Sequence, residues 1–105
     1  MIFAITKGYN MSDKTDFDML YKAIISLKTE DEAAAFFDDL CTIKELQDMA
    51  QRFEVALLLH EGKSYGEVSA TTGASSATIS RVNRCLHYGK NGYKKVIAGL
   101  GEDNE

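Results

Sequence analysis

Helix-start signals recur along the chain and constrain its fold more than any other feature of the sequence. A serine or threonine followed three residues later by an acid makes a capping box, in which the hydroxyl accepts a backbone N–H and the acid reaches back. This spacing occurs at Thr29…Glu32, Thr42…Glu45 and Ser64…Glu67, with a weaker version at Thr15…Asp18. Each occurrence predicts the first turn of a helix.

An all-α fold of about six helices follows from these starts and from the glycines that end helices. The chain has no proline, and no segment alternates apolar and polar residues over the length of a strand. We predict helices at residues 16–28, 30–40, 43–61, 65–72, 76–88 and 92–100.

The length of 105 residues suggests one domain, which we place at residues 12–100. Met11 begins a stretch typical of a natural start, so residues 1–11 are interpreted as a flexible or non-native extension. Residues 101–105 form an acidic tail. Residues 1–10 lack the basic and long apolar regions of a secretion signal, and the apolar run Val55–Leu59 is too short to cross a bilayer. We therefore expect a cytoplasmic protein.

Catalytic and metal chemistry find little support in the sequence. Cys41 and Cys85 form no CxxC pair and are expected to stay reduced thiols. His60 and His87 lie far apart, so no metal ion or other cofactor is expected. Acids near helix starts favour the helix dipole, and no nucleophile has an evident base. The sequence does not predict an enzyme.

The charge distribution favours a nucleic-acid partner, although the formal net charge of −4 at first argues against one. Residues 1–62 carry 12 acids against 6 lysines and arginines, whereas residues 63–100 carry 6 lysines and arginines against one acid, Glu67. Binding depends on the local field rather than on the total charge. A chance asymmetry without a partner is the alternative.

The stretch from Ser64 to Val82 has the parts of a helix-turn-helix, which we predict over residues 64–88. This motif needs a short helix, a tight turn and a second helix packed steeply across the first. Gly73 supplies the positive φ that the turn requires. The small residues expected at the crossing are Ser69, Ala70 and Ala74, and the expected anchors of the second helix are Ile79, Val82 and Leu86.

The outer face of that second helix is small, polar and basic. Short side chains allow close approach in the major groove, and arginine reaches guanine or phosphate. The residues predicted to contact DNA are Ser76, Ala77, Thr78, Ser80, Arg81 and Arg84, with His87 on the same face. An ordinary solvated helix face is the alternative. Tyr88 and Tyr93 flank basic residues and would suit either DNA backbone contact or core packing.

The helix predicted at 43–61 is apolar on more than one face. One stripe comprises Ile43, Leu46, Ala50, Phe53 and Leu57, while Met49, Val55, Leu58 and Leu59 lie partly off it. An apolar surface wider than one stripe indicates a central, mostly buried helix. Small domains often gain burial by oligomerising, and two-fold dimers are the commonest oligomers. We predict a homodimer; a well-filled monomer core is the alternative.

The run Gly-Ala-x-x-Ala-Thr-Ile-Ser-Arg at residues 73–81, with Thr-Ile-Lys-Glu-Leu at 42–46 and Leu-Leu-His-Glu-Gly at 58–62, resembles the tryptophan repressor family. The resemblance covers about residues 40–100 and is strongest to the YerC/YecD group of repressor-related proteins. It implies an intertwined, all-helical two-fold dimer with paired reading heads. It also implies a bacterial, sequence-specific transcriptional regulator of double-stranded DNA, expected to be a repressor.

The resemblance further implies a small-molecule effector site between the core and the reading head. The matching positions are Thr42, Arg52, Thr78, Arg81, Val82 and Cys85. Arg52 and Arg81 match the two arginines that sandwich the indole of tryptophan. Val82 replaces a glycine and adds bulk, and Cys85 replaces a serine and is a much weaker hydrogen-bond partner.

Free tryptophan is therefore not the expected effector. The two arginines either hold a smaller or anionic ligand or serve packing and DNA phosphate contact. Because a fold does not fix a function, a helix-turn-helix module that grips a protein instead of a DNA operator is the competing hypothesis.

Overall fold

The computed structural model describes residues 17–103, which form six α-helices and contain no β-strand. The helices are α1 (Phe17–Ile25), α2 (Glu30–Leu40), α3 (Ile43–His60), α4 (Tyr65–Thr72), α5 (Ser76–Tyr88) and α6 (Gly92–Asp103). The predicted all-α class is confirmed. The predictions made for residues 1–11 and for Thr15 lie outside the described residues. None of the helices in the described part is long and apolar enough to cross a lipid bilayer.

Two helix ends lie three residues from their predicted positions, and α3 ends at His60, one residue earlier than predicted. α1 stops at Ile25, because the Ser26 hydroxyl donates to the Ala23 carbonyl at 2.7 Å and the next N–H, that of Leu27, donates to Ile24 in a tighter turn. These bonds satisfy carbonyls that the last turn of a helix leaves free. α6 continues to Asp103, so the first residues of the predicted acidic tail belong to that helix.

The chain divides into two compact units, one ending at Leu40 and one beginning at Cys41. In the first unit, Thr29 accepts the N–H of Glu32 at 3.1 Å, but the Glu32 carboxylate accepts the N–H of Lys28 rather than that of Thr29. The predicted capping box is thus offset by one residue. Neither α1 nor α2 has a buried residue.

The second unit has an apolar core built from α3, α4 and α5. The buried residues are Val55, Ala56, Val68, Ala74, Ile79, Val82 and Leu86, with Leu58, Leu59, Tyr93 and Ile97 partly buried against them. The capping boxes predicted at Thr42 and Ser64 are both complete and start α3 and α4. The core thus lies directly beneath the predicted helix-turn-helix.

The prediction of a mostly buried α3 is wrong for the single chain. Only Val55 and Ala56 of this helix are buried, and Ile43, the first residue of the predicted apolar stripe, is 76% exposed. Periodicity identifies which residues share a face, but it does not tell whether that face packs within the chain or elsewhere.

Candidate nucleic-acid interface

Gly73 makes the turn between α4 and α5. Its φ of +74° lies in the left-handed region, and its N–H donates to the Ser69 carbonyl at 2.8 Å. No atom lies within 4 Å of the position that a Cβ would take. The predicted positive φ is therefore present, and the requirement for glycine comes from the backbone conformation rather than from lack of space.

Side-chain hydrogen bonds fix the path of the chain through this turn. The Thr72 hydroxyl donates to the Val68 carbonyl at 2.8 Å and accepts the Ala74 N–H at 3.1 Å. The Ser69 hydroxyl donates to the Ala74 carbonyl at 3.3 Å. Because the same few residues are bonded on both sides of Gly73, the angle between α4 and α5 is held by the turn itself.

Gln51 attaches the turn to α3. Its side-chain amide donates to the Thr72 carbonyl at 3.2 Å, across 21 positions of sequence. Sequence reasoning missed both Gln51 and Thr72, since a polar residue on a helix carries no signal for so distant a partner. The bond ties the end of α4 to the helix that supplies Val55 and Ala56 to the core.

The start of α5 is capped by Ser75. Its hydroxyl oxygen accepts the Thr78 N–H at 3.2 Å and lies 3.1 Å from the Thr78 hydroxyl. A search for a hydroxyl followed by an acid passes over this cap, because threonine stands where the acid would be. The first turn of α5 contains no acid, so the positive end of the helix dipole is not neutralised by its own side chains.

The predicted anchors of α5 all lie in the core, where Ile79, Val82 and Leu86 are at most 5% exposed. Of the small residues predicted at the helix crossing, Ala74 is buried and Ser69 bonds to its carbonyl, whereas the prediction is wrong for the exposed Ala70. Val68 and Thr72, four residues apart on α4, instead share the face that turns inward.

The outer face of α5 presents the residues predicted to contact DNA. Ser76, Ala77, Ser80, Arg81 and Arg84 are exposed. Among the side chains of residues 17–101, the guanidinium groups of Arg81 and Arg84 take part in no ion pair. No acid occurs between Glu67 and Glu102. This surface therefore carries uncompensated positive charge above buried apolar anchors.

Two further residues with predicted roles lie at the edges of this face. Thr78 is half-buried, and its hydroxyl is engaged with Ser75. His87 is exposed near the C-terminal end of α5.

Glu67 strengthens the start of α4. The Ser64 N–H donates to its carboxylate at 2.9 Å, while the Glu67 N–H donates to the Ser64 hydroxyl. The bond from the Ser64 N–H to the carboxylate lowers the pKa of Glu67 most, and the Ser64 side chain and the nearby positive charge of Lys63 lower it further. The shift favours the charged form of the capping box.

The positions matched to an effector site differ in exposure. Thr42 is exposed and caps α3 with its hydroxyl, Arg81 is exposed, and Arg52 and Thr78 are half-buried. Val82 is only 1% exposed. That burial makes Val82 a core residue of α5 rather than part of a pocket wall open to solvent.

Cys85, the remaining effector position, lines an open apolar groove of about 550 Å³ with Phe53, Tyr93 and Val96. The rings of Phe53 and Tyr93 stack with centroids 6.4 Å apart. None of the other five effector positions lines this groove. Tyr93 takes the predicted packing role, whereas Tyr88 is 86% exposed.

Two short helices joined at a left-handed glycine, with the second anchored over a small apolar core, define an all-α helix-turn-helix protein. The family model of the Trp repressor protein matches residues 15–100. The chain belongs to the Trp repressor family, as its sequence predicts. This is a family of regulatory DNA-binding proteins rather than of enzymes.

Known relatives agree with this assignment. Over 87 residues the chain is 52% identical to YerC of Bacillus subtilis strain 168, a protein of uncharacterised function, and the match covers 83% of this chain and 84% of YerC. A TrpR-like protein from Eubacterium eligens ATCC 27750 is 54% identical with a TM-score of 0.77, over 80% of this chain and 87% of that structure.

A second solved structure, described as a candidate Trp repressor from Staphylococcus aureus, is 40% identical with a TM-score of 0.78, over 81% of this chain and 85% of that one. Both structures match most of their own length. The fold assignment therefore extends over nearly the whole of each relative.

Proposed function

We propose that the protein is a sequence-specific, DNA-binding transcriptional regulator that reads the major groove of duplex DNA with α5. The observation that supports this proposal is the outer face of α5, where Arg81 and Arg84 are exposed above the buried anchors and form no ion pair with any side chain that the structure describes. Helix-turn-helix proteins place the N-terminal residues of the second helix against base edges. Ser76, Ala77 and Ser80 are short enough for that approach, and the arginines reach guanine or phosphate.

We propose that the protein binds DNA as a two-fold dimer. In such a dimer the two helix-turn-helix motifs would recognise two half-sites one helical turn apart. The exposure of large apolar residues favours such a dimer. Ile25 and Ile43 are 79% and 76% exposed, and neither α1 nor α2 buries a residue. A second copy of the chain would cover these surfaces.

The proposed sign of regulation is repression, following the family and the description of the S. aureus structure. We assign no role to free tryptophan, because Val82 fills the core where the family places a glycine. The effector site stays a proposal at Thr42, Arg52, Thr78, Arg81 and Cys85, and its ligand would differ from tryptophan in shape or charge.

Fluorescence anisotropy with labelled duplexes from the protein's own genome tests the proposal. We expect tight binding to a minority of fragments and an affinity that falls steeply with salt. Arg81→Ala and Arg84→Ala should each flatten the salt slope by about one unit if the lost contact is to phosphate. Lys44→Ala is the matched control, since Lys44 pairs with Asp48 on α3 at 3.1 Å.

Equal affinity at low and high salt would contradict electrostatic contact with the DNA backbone. If the folded protein does not bind duplex DNA even at low salt, the result would favour the competing hypothesis, in which α5 binds another protein. If the Lys44 variant loses as much DNA binding as the arginine variants, the assignment of α5 as the DNA-binding helix is wrong.

A further inference from the structure

A second basic surface follows α5 in the chain. Lys90, Asn91, Lys94 and Lys95 line one shallow depression of about 510 Å³, and all four are exposed. Among the side chains of residues 17–101 the three lysines take part in no ion pair. We call this surface, defined by these four residues, the α5–α6 basic patch.

The backbone holds the patch in a defined turn. Gly89 ends α5 by donating its N–H to the Cys85 carbonyl at 3.0 Å, and a Cβ at Gly89 would collide with that carbonyl. Asn91 has a φ of +67°, and its carbonyl accepts the Lys95 N–H at 3.0 Å to start α6. The patch is therefore built on a hydrogen-bonded turn between α5 and α6.

Lys94 and Lys95 stand where local helix electrostatics disfavour them. They occupy the first turn of α6, which contains no acid. The N-terminal end of a helix carries partial positive charge, and cations there are destabilising while anions are favoured. Two lysines at this end, with a third at Lys90, break a local rule in the way that functional sites do. A bound polyanion would relieve the repulsion.

The length of α5 bears on which polyanion the α5–α6 basic patch binds. Its 13 residues place Ser76 and Tyr88 about 18 Å apart along the helix axis, while the major groove is about 12 Å wide. A helix that enters the groove by its N-terminal end therefore has its C-terminal end at the phosphate rim. The exposed Tyr88 is the last residue at that end, and the α5–α6 basic patch comes directly after it in the chain.

We infer that the α5–α6 basic patch is a second DNA contact, which binds the phosphate backbone flanking the bases read by α5. This inference rests on the proposed function and deepens it. Because phosphate contacts carry no base information directly, the patch adds affinity and orientation without changing sequence preference. An acidic protein segment, including the acid-rich N-terminal part of a second copy, is the other polyanion to distinguish.

The test compares two triple variants of the full chain that lower the net charge equally. One is Lys90→Gln, Lys94→Gln, Lys95→Gln in the patch, and the other is Lys22→Gln, Lys28→Gln, Lys44→Gln outside it. The probes are two labelled duplexes of different sequence, each several helical turns long and each titrated over a range of salt. Circular dichroism and sedimentation verify that each variant keeps its fold and its assembly.

We expect the patch variant to lose about 0.9 from the slope of log affinity against log salt for each phosphate contact removed. The control triple should keep the wild-type slope, and the ratio of affinities for two different duplexes should be the same for all three proteins. An unchanged slope in the patch variant, with normal binding by the wild type, would overturn the inference and leave the proposed function standing.

A wild-type protein that binds no duplex would overturn both proposals. A patch variant that dissociates in sedimentation would assign the lysines to the contact between copies and would likewise overturn the DNA assignment. A lower slope accompanied by a changed preference between the two duplexes would contradict a pure backbone role.

Discussion

Gly73 holds a backbone conformation that other residues reach only at a cost. With φ at +74° and no neighbour near its missing Cβ, we expect Gly73→Val to lower the free energy of unfolding by roughly 1–3 kcal/mol. Gly73→Asn is the matched control, because asparagine tolerates the left-handed region better. Urea denaturation measures both variants. Equal stability of the valine variant and the wild type would show that the turn has another conformation.

Glu67 gives the helix-turn-helix a dependence on pH. Its pKa is lowered in the folded chain, so its contribution to stability is fully present above the ordinary glutamate value of 4.5 and is lost as pH falls through the folded value. Glu67→Gln should therefore be less stable than the wild type near neutrality, and the difference should shrink as the solution is acidified below 4.5.

Urea unfolding at several pH values measures this difference. Glu54→Gln, a substitution of an exposed glutamate in the middle of α3, serves as the control. A gap between Glu67→Gln and the wild type that stays constant into acid would contradict a role for the charged carboxylate. The capping box would then act through its neutral hydrogen bonds alone.

Residues that act through neighbours in sequence could be predicted, and residues that act at a distance could not. The caps at Thr42 and Ser64 and the turn at Gly73 all involve positions within four residues, so local chemistry specifies them. The bond from Gln51 to Thr72 depends on how α3 and α4 pack together. The exposure of Ala70 could not be predicted either, because a small residue fits a helix crossing and a solvent-exposed position equally well.

At the scale of helices, the order of the six elements and most of their bounds could be predicted, because capping residues and glycines mark where helices begin and end; the ends of α1 and α6 could not. The assignment of faces was less complete. The anchors of α5 are confirmed, whereas the apolar stripe of α3 begins with the exposed Ile43. An amphipathic pattern identifies the apolar face of a helix, but it does not indicate which surface packs against that face.

Val82 bears on both the stability of the core and the binding of tryptophan. Because its side chain is buried, Val82→Gly should lower the free energy of unfolding by roughly 2–4 kcal/mol, through lost burial and the poor helix propensity of glycine. Calorimetric titration of the wild type with tryptophan should give no micromolar binding. The same titration of a folded Val82→Gly protein asks whether bulk at this position is the obstacle.

Two outcomes of that titration are informative. Tryptophan binding only by Val82→Gly would show that the site survives and that the valine alone blocks it. Micromolar binding by the wild type would contradict the assignment of Val82 as a barrier. Val82→Ala is the control for stability, because it removes less apolar surface and keeps a good helix former.

At the scale of the whole molecule, apolar surface is unevenly covered. The second unit encloses an apolar core, whereas α1 in the first unit exposes Phe17, Tyr21 and Ile25 by more than half. Exposed apolar residues gathered on such short helices are typical of surfaces that a partner subunit covers. The basic outer face of α5 lies in the other unit, so the proposed assembly and the proposed DNA contact would depend on different parts of the sequence.

This division predicts that the two functions separate by mutation. The wild type should sediment as a dimer, at twice the chain mass of 11.6 kDa. Ile25→Glu places a charge on a 79% exposed apolar position of α1 and should shift the dimer towards monomer at micromolar concentration. Tyr88→Glu places the same charge at an 86% exposed position beside the reading face and should leave the dimer intact while weakening DNA binding. A stable folded monomer of the wild type would contradict the prediction, as would equal dissociation of both variants.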